Sequence, residues 1–201
     1  MQFSYTCTLL SRNSIALMFV SKESNVTVQR TLTTSFGCSS ISLLDADTFV
    51  ISTTNHPRPV RTITVQGREG DIQHRLLPDR TYNLFESACA YIPSTRTLVF
   101  TDKCQHTVYM CDIPSGEGHA INNDEIQRPT GAHAGPADTI FVCSGDNNSV
   151  VQFSADGEVL MSHKVDMLYP SAISLSKNGI YLAVANGQAN NFKIKLFTVI
   201  S

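Results

Sequence analysis

Three apolar residues at equal steps, Phe100, Val142 and Val184, set the strongest limit on what this 201-residue chain can fold into. Each stands in a run rich in β-branched or aromatic residues, LVFTD, IFVCS and YLAVAN, and each run leads into a polar turn and a further apolar run. The step is 42 residues both times. Short apolar runs bounded by Gly, Asn, Asp and Ser are strand and turn signals. A unit of a few strands cannot bury its own faces, so such units must pack on copies of themselves. A period near 40 with several strands per repeat is that of a propeller blade.

The clearest copy is IFVCSGDNNSVVQFSADGEVL, Ile140 to Leu160, in which the turns SGDNN and SADG separate three β-like runs. An earlier copy spans Leu98 to Gly118 and a later one Tyr181 to Phe197. Weaker copies lie upstream, Thr48 to Asp71 with an inserted PRP and Ile15 to Arg30. One more alternating run, SSISLL, SACAYI, TGAHA or SAISLS, precedes each of the last four units. No stretch repeats apolar residues at i, i+3, i+4, so no amphipathic helix is expected. The chain is therefore predicted to be one all-β domain, a propeller of about five four-stranded antiparallel blades. Their expected spans are residues 1–36, 37–79, 80–127, 128–166 and 167–201.

With 42% hydrophobic and 16% charged residues the chain can bury a real core. Its net charge of -2 offers no cation excess to neutralise a phosphate backbone, so nucleic acid is not the expected first partner. The first twenty residues have neither a basic segment before a long apolar run nor a membrane-length apolar stretch, so no membrane association is expected. Six cysteines at irregular spacings, with no CxxC, read as reduced, buried thiols of a cytoplasmic protein. No HxH or HExxH pair, GxSxG elbow, GxGxxG or Walker-type loop occurs, so the chain is expected to hold no metal or cofactor and to be no enzyme.

The blade from Arg128 onward resembles the NHL repeat: Pro129-Thr130-Gly131 opens it, Asn147-Asn148 and Val150 stand in the middle, and Phe153 with Asp156-Gly157 closes it. The preceding blade is similar at Asp102, His106, Val108 and Asp112, and the last at Pro170, Gly179, Val184, Asn186 and Phe197. Ser144 departs from the family pattern where Asp is usual, and Thr107 and Ser149 where Arg is usual. The resemblance implies a six-bladed propeller of the kind that ends tripartite-motif ubiquitin ligases and selects a protein substrate or an RNA. WD and kelch propellers fit less well, since the chain has no Trp and no Gly-Gly pair.

In such a propeller the loops between second and third strands and those between blades share one face. The residues expected to bind there are His56, Arg58, Arg80, Tyr82, Lys103, His106, Arg128, Asp146, Asn147, Tyr169, Asn186 and Asn190. Amides, cations and tyrosines suit a peptide, the preferred ligand, or RNA bases, the alternative. A calcium-dependent, lactonase-like hydrolase is a third reading, which would draw on Glu86 and Asp102. About five blades, the last ending after a third strand, leave open edges. Either Phe3 to Leu9 closes the last blade by pairing with Asn191 to Phe197, or copies associate through those edges.

Overall fold

The computed structural model describes residues 5–11, 13–20, 26–78, 80–83, 85–187 and 192–199. These residues form five antiparallel sheets in chain order. Blade 1 is β1 (Tyr5–Ser11), β2 (Ser14–Val20) and β3 (Val26–Thr33). Blade 2 is β4 (Gly37–Leu43), β5 (Thr48–Thr54), β6 (Val60–Thr64) and β7 (Glu69–Asp71). Blade 3 is β8 (Ser87–Ile92), β9 (Thr97–Asp102), β10 (Thr107–Asp112) and β11 (Gly118–Ile121). Blade 4 is β12 (Pro129–Ala134), β13 (Ile140–Ser144), β14 (Ser149–Phe153) and β15 (Val159–Lys164), and blade 5 is β16 (Pro170–Leu175), β17 (Tyr181–Asn186) and β18 (Ile194–Thr198). The fold is an all-β propeller. Among the described residues one 3₁₀ turn, Pro136–Asp138, is the sole helical piece.

Why the second strands read as continuous apolar runs is plain in blade 4. Ile140 and Val142 pair across to Phe153 and Val151, and all four lie in a core shared with Val99, Val108 and Met110 of blade 3. Their neighbours Phe141, Cys143 and Val150 turn the other way, into a core shared with Leu182 and Val184 of blade 5. A strand buried on both faces needs apolar residues at every position. Similar layers join blade 1 to blade 2 through Leu17, Leu32 and Phe49, and blade 2 to blade 3 through Val50, Val60, Leu98 and Phe100.

The first strands of successive blades, β1, β4, β8, β12 and β16, stand side by side. Small residues and hydroxyls bring them together. The amides of Cys89 and Tyr91 donate to Ser40 Oγ at 2.7 Å and Ser42 Oγ at 3.1 Å. Thr101 Oγ1 donates to the Thr130 carbonyl, and Thr130 Oγ1 to that of Pro170, each at 2.9 Å. Blades are thus tied by side chain to backbone where two sheets cannot share a ladder.

Two expectations change. The N-terminal segment does not close blade 5: β1 forms a hairpin with β2, and β18 pairs with β17 on one side only. A connection of two residues between Ser11 and Ser14 makes the local hairpin cheaper in chain entropy than a partner at the far end of the chain. Phe3 and Ser4 lie outside the described residues. Among the cysteines, Cys38, Cys89, Cys111 and Cys143 are free and buried, but Cys104 is exposed because it sits in the β9–β10 turn. Burial pushes the Cys89 and Cys111 thiols up to about 11 and Cys143 to about 12, so they pack as neutral groups.

Gly131 tests the closeness of the inner strands. A Cβ there would lie 2.8 Å from the Ser171 carbonyl oxygen and 3.0 Å from Ala172 Cα. Both are backbone atoms, so β12 and β16 would have to part. Gly131→Ala is expected to cost about 1–3 kcal/mol, the usual range for overpacking, read from urea unfolding. An unchanged midpoint would show that the strands have room.

Candidate functional site

In blades 3, 4 and 5 the residue that ends the second strand anchors the loops above it. Asp102, Ser144 and Asn186 recur at the 42-residue step and pair across to Ser87, Pro129 and Pro170. All three are buried. Asp102 Oδ1 accepts from the amides of Cys104 and Gln105, each at 3.0 Å. Ser144 Oγ accepts from the Gln127 amide at 2.8 Å, and Asn186 Oδ1 from the Lys193 amide at 2.8 Å.

Asp102 does more than hold its turn. Its carboxylate, wholly buried, receives Arg80 Nη2 at 2.5 Å and the Tyr82 hydroxyl at 3.0 Å, while the guanidinium lies 3.9 Å from the Tyr82 ring centroid. Burial opposes the charge on Arg80, but the bond and charge of Asp102 outweigh it and hold Arg80 above its ordinary value. Burial and the same negative charge push the Tyr82 phenol up, keeping it a donor. Burial also disfavours the Glu86 carboxylate. Hydrogen bonds from Asn83 more than offset this and hold it below its ordinary range, with Arg80 Nη1 3.7 Å away.

Tyr82 is therefore under the loop face and not on it: it belongs to the core between blades 2 and 3. Asn186 is likewise a buried turn anchor. Asn190 lies outside the described residues. His56 Nδ1 accepts the Arg58 amide at 3.1 Å and Arg58 pairs with Asp71, so this pair holds its own blade. His106 Nδ1 accepts the Arg128 amide at 3.1 Å, and Asn147 donates to the carbonyls of Asp124 and Glu125 at 3.0 and 3.1 Å. These side chains tie neighbouring loops together.

What the loops bring together is Lys103, Arg128 and Tyr169. Lys103 Nζ lies 5.3 Å and the Arg128 guanidinium 5.4 Å from the Tyr169 ring centroid. Asp146 lies 3.7 Å from Arg128. Arg128 and Tyr169 both have left-handed backbones, φ 51° and 56°, at the bend just before β12 and β16. Such conformations are costly for residues with a side chain and recur where a chain must aim one. Beside Tyr169 the turn has Gly145, where a Cβ would come within 3.0 Å of the ring.

Lys103 and Tyr169 line a cavity of about 1020 Å³ between the first strands of blades 2 to 5, walled by Ser39, Ser42, Ala88, Ala90, Gly131 and Ser171 among others. Phe85 and Phe192, 68% and 76% exposed, stand among its lining residues. Sequence reasoning missed both, because a lone aromatic in a polar loop carries no periodic signal. Ser87 Oγ and the Tyr169 hydroxyl, both on cavity-lining residues, are buried without a hydrogen-bond partner. The site therefore offers two cations and exposed aromatic rings. Glu86 and Asp102 do not line the cavity, and among the described residues no three His, Cys, Asp or Glu side chains are grouped to hold a metal.

No protein-family model and no curated protein matches the chain. Solved structures do. Hydrazine synthase of Kuenenia stuttgartiensis is 20% identical with a TM-score of 0.63, over 86% of this chain and 49% of that one. Virginiamycin B lyase from Staphylococcus aureus, in a structure with quinupristin, is 15% identical with a TM-score of 0.61, over 96% and 68%. A chain of the nidogen/laminin complex is 10% identical with a TM-score of 0.68, over 90% and 70%. The chain thus spans about half the length of the hydrazine synthase chain and about two thirds of the lyase. At these identities the likeness is one of fold, the β-propeller. It corrects the expectation of a chain that is no enzyme, because a synthase and a lyase are among the propellers it resembles. No helix among the described residues is long and apolar enough to cross a membrane.

The Asp102 cluster yields a direct test. Asp102→Ala strands Arg80 and the Tyr82 hydroxyl, and losing one partner of a buried ion pair costs about 3–5 kcal/mol. Urea unfolding should show a loss near the low end, since the Arg80 side chain is 29% exposed, and a smaller one for Asp102→Asn, which keeps an acceptor. Equal stability of Asp102→Ala and the parent would mean that water replaces the carboxylate.

Proposed function

We propose that this propeller recognises a peptide segment of a partner protein laid across the mouth of the axial cavity. The observation that carries the reading is the pair of exposed rings, Phe85 and Phe192, in the lining of the cavity that also holds Lys103 and Tyr169. Exposed aromatic rings beside cations are what anchor residues in protein interfaces look like. Arg128 and Lys103 would favour a segment carrying Asp or Glu, and Asp146, near Arg128, would limit how much negative charge is accepted.

The similarity of blades 3 to 5 to NHL repeats supports a place in a ubiquitin-ligase system, with the peptide belonging to the protein to be modified. RNA is the alternative ligand. The net charge of -2 and the partnering of Arg128 with Asp146 and of Arg80 with Asp102 favour the peptide.

Fluorescence anisotropy with labelled short peptides of acidic, neutral and basic composition tests this. The tightest peptide should be acidic with an aromatic residue, and Lys103→Ala with Tyr169→Ala should weaken it at least about 10-fold, as hot-spot truncations do. His56→Ala, away from the mouth, should leave it unchanged. Indifference of all peptides to the double substitution would refute the site. Binding only to single-stranded RNA, falling steeply with salt, would replace the peptide by the alternative.

A further inference from the structure

One hydrogen-bonding device recurs at two places on the loop face. His106 in the β9–β10 turn and Asn148 in the β13–β14 turn stand 42 residues apart, and both have left-handed backbones, φ 55° and 51°. Each reaches toward the next blade and accepts the amide of the residue that precedes its first strand. His106 Nδ1 takes the Arg128 amide at 3.1 Å, and Asn148 Oδ1 takes the Tyr169 amide at 2.8 Å. Arg128 and Tyr169 are themselves left-handed, so a bond from the preceding blade helps fix a strained backbone that aims a side chain at the candidate site. The two acceptors differ in one respect. A carboxamide oxygen keeps its lone pairs at any ordinary pH, whereas an imidazole ordinarily gains a proton between about pH 8 and pH 5. Because a backbone N–H can only donate, Nδ1 is the bare nitrogen and the neutral ring carries its proton on Nε2. Protonation puts a second N–H on Nδ1, against the one that the Arg128 backbone already points there.

We propose that His106 is a pH-responsive positioning residue of the binding site, which holds Arg128 over the Tyr169 ring when neutral and releases it when protonated. Its effect on a ligand rests on the peptide reading above; its effect on Arg128 does not. The charged and titratable groups on the elements around the ring are Asp102, Lys103 and Cys104 of its own turn, Asp124, Glu125 and Arg128 of the loop before β12, and Asp146 and Tyr169 of the neighbouring turn and bend. Asp102 is taken up by Arg80 and Tyr82, and Asp146 lies against Arg128. A protonated His106 therefore adds a cation to a face that already carries Lys103 and Arg128, and removes the acceptor that holds one of them. The bend itself keeps a tie, because the Arg128 carbonyl accepts the Gly145 amide at 3.2 Å. What changes is the aim of the guanidinium, 5.4 Å from the Tyr169 ring centroid while the bond is made. Tyr169, held by Asn148, stays in place. An acidic peptide thus loses an aimed guanidinium as pH falls. The new imidazolium charge does not make this good, since a charge screened by water contributes less than a guanidinium bonded to a carboxylate.

NMR of the free chain and peptide binding test the two halves separately. Between about pH 8 and pH 5.5 the Arg128 amide resonance should follow a titration curve in the parent and stay flat in His106→Asn. Asn148 shows that Asn can do this work at the same backbone angles. The Tyr169 amide should move far less in both chains. A labelled acidic peptide with an aromatic residue should bind the parent about 3- to 10-fold more weakly at the lower pH, the range that losing one hydrogen bond spans, and His106→Asn with little change. The peptide's own titration and that of the other histidines are common to both chains, so the difference between them belongs to His106. An Arg128 amide that is flat in the parent, or that titrates equally in His106→Asn, would overturn the proposal. So would a binding profile against pH that the substitution leaves unchanged. If neither chain binds any peptide at any pH while the Arg128 amide still titrates only in the parent, the positioning role stands and the peptide reading alone falls.

Discussion

The structure depends on how closely the first strands of neighbouring blades approach. A sheet can share a hydrogen-bond ladder only with a strand in its own plane, so blades standing side by side need another link. Here the link is a hydroxyl from one blade on the backbone of the next: Ser40 and Ser42 under the amides of Cys89 and Tyr91, Thr101 on the Thr130 carbonyl, Thr130 on that of Pro170. Short side chains are required for this. The first strands GCSSISL, SACAYI, PTGAHA and PSAISL are accordingly rich in Ser, Ala, Gly and Thr, while the second strands behind them carry the apolar weight.

The same arrangement leaves a cavity between those strands, and the candidate site is drawn from its lining. Small residues cannot fill the centre, so the space stays open, and loop residues such as Phe85, Lys103 and Tyr169 join its lining. Loop geometry in blades 3 to 5 in turn rests on the buried residue that ends each second strand. Asp102, Ser144 and Asn186 differ in chemistry but each accepts at least one loop amide, Asp102 from its own turn, Ser144 from Gln127 in the loop before β12 and Asn186 from Lys193 before β18. Only in blade 3 does the carboxylate remain, and there it gathers Arg80 and Tyr82 into the packing beneath the loop face. Cations near that face thus divide into two kinds, those that hold the loops and those, Lys103 and Arg128, stacked by Tyr169.

The architecture was legible in the sequence because a propeller strand buried on both faces leaves a continuous apolar run, and three such runs recur at one spacing. The site was legible in part. Lys103, Arg128 and Tyr169 stand where the loop pattern put them, but Tyr82 is a polar residue in a polar segment whose burial is decided by Asp102 on a later strand, and Asn186 ends an apolar strand with its side chain turned to the Lys193 amide. His106 and Asn147 look like free binding groups in the sequence, yet backbone amides and carbonyls of the next loop occupy them. Phe85 and Phe192 carry no periodic mark at all. The N-terminal run seemed suited to close blade 5 because it is β-like, and periodicity says nothing about which of two edges a strand will take.

Hydrogen exchange at the Cys89 amide, followed by NMR, tests the central claim most directly. That amide is bonded to Ser40 Oγ of the neighbouring blade, so its protection reports the link between blades separately from the ladder within one. Ser40→Ala should speed exchange at Cys89 strongly, while amides deep in the β9–β10 ladder, such as that of Phe100, keep their protection. Equal protection of Cys89 in Ser40→Ala and the parent would mean that the hydroxyls do not hold the blades together, and the account of how this propeller stands would fail.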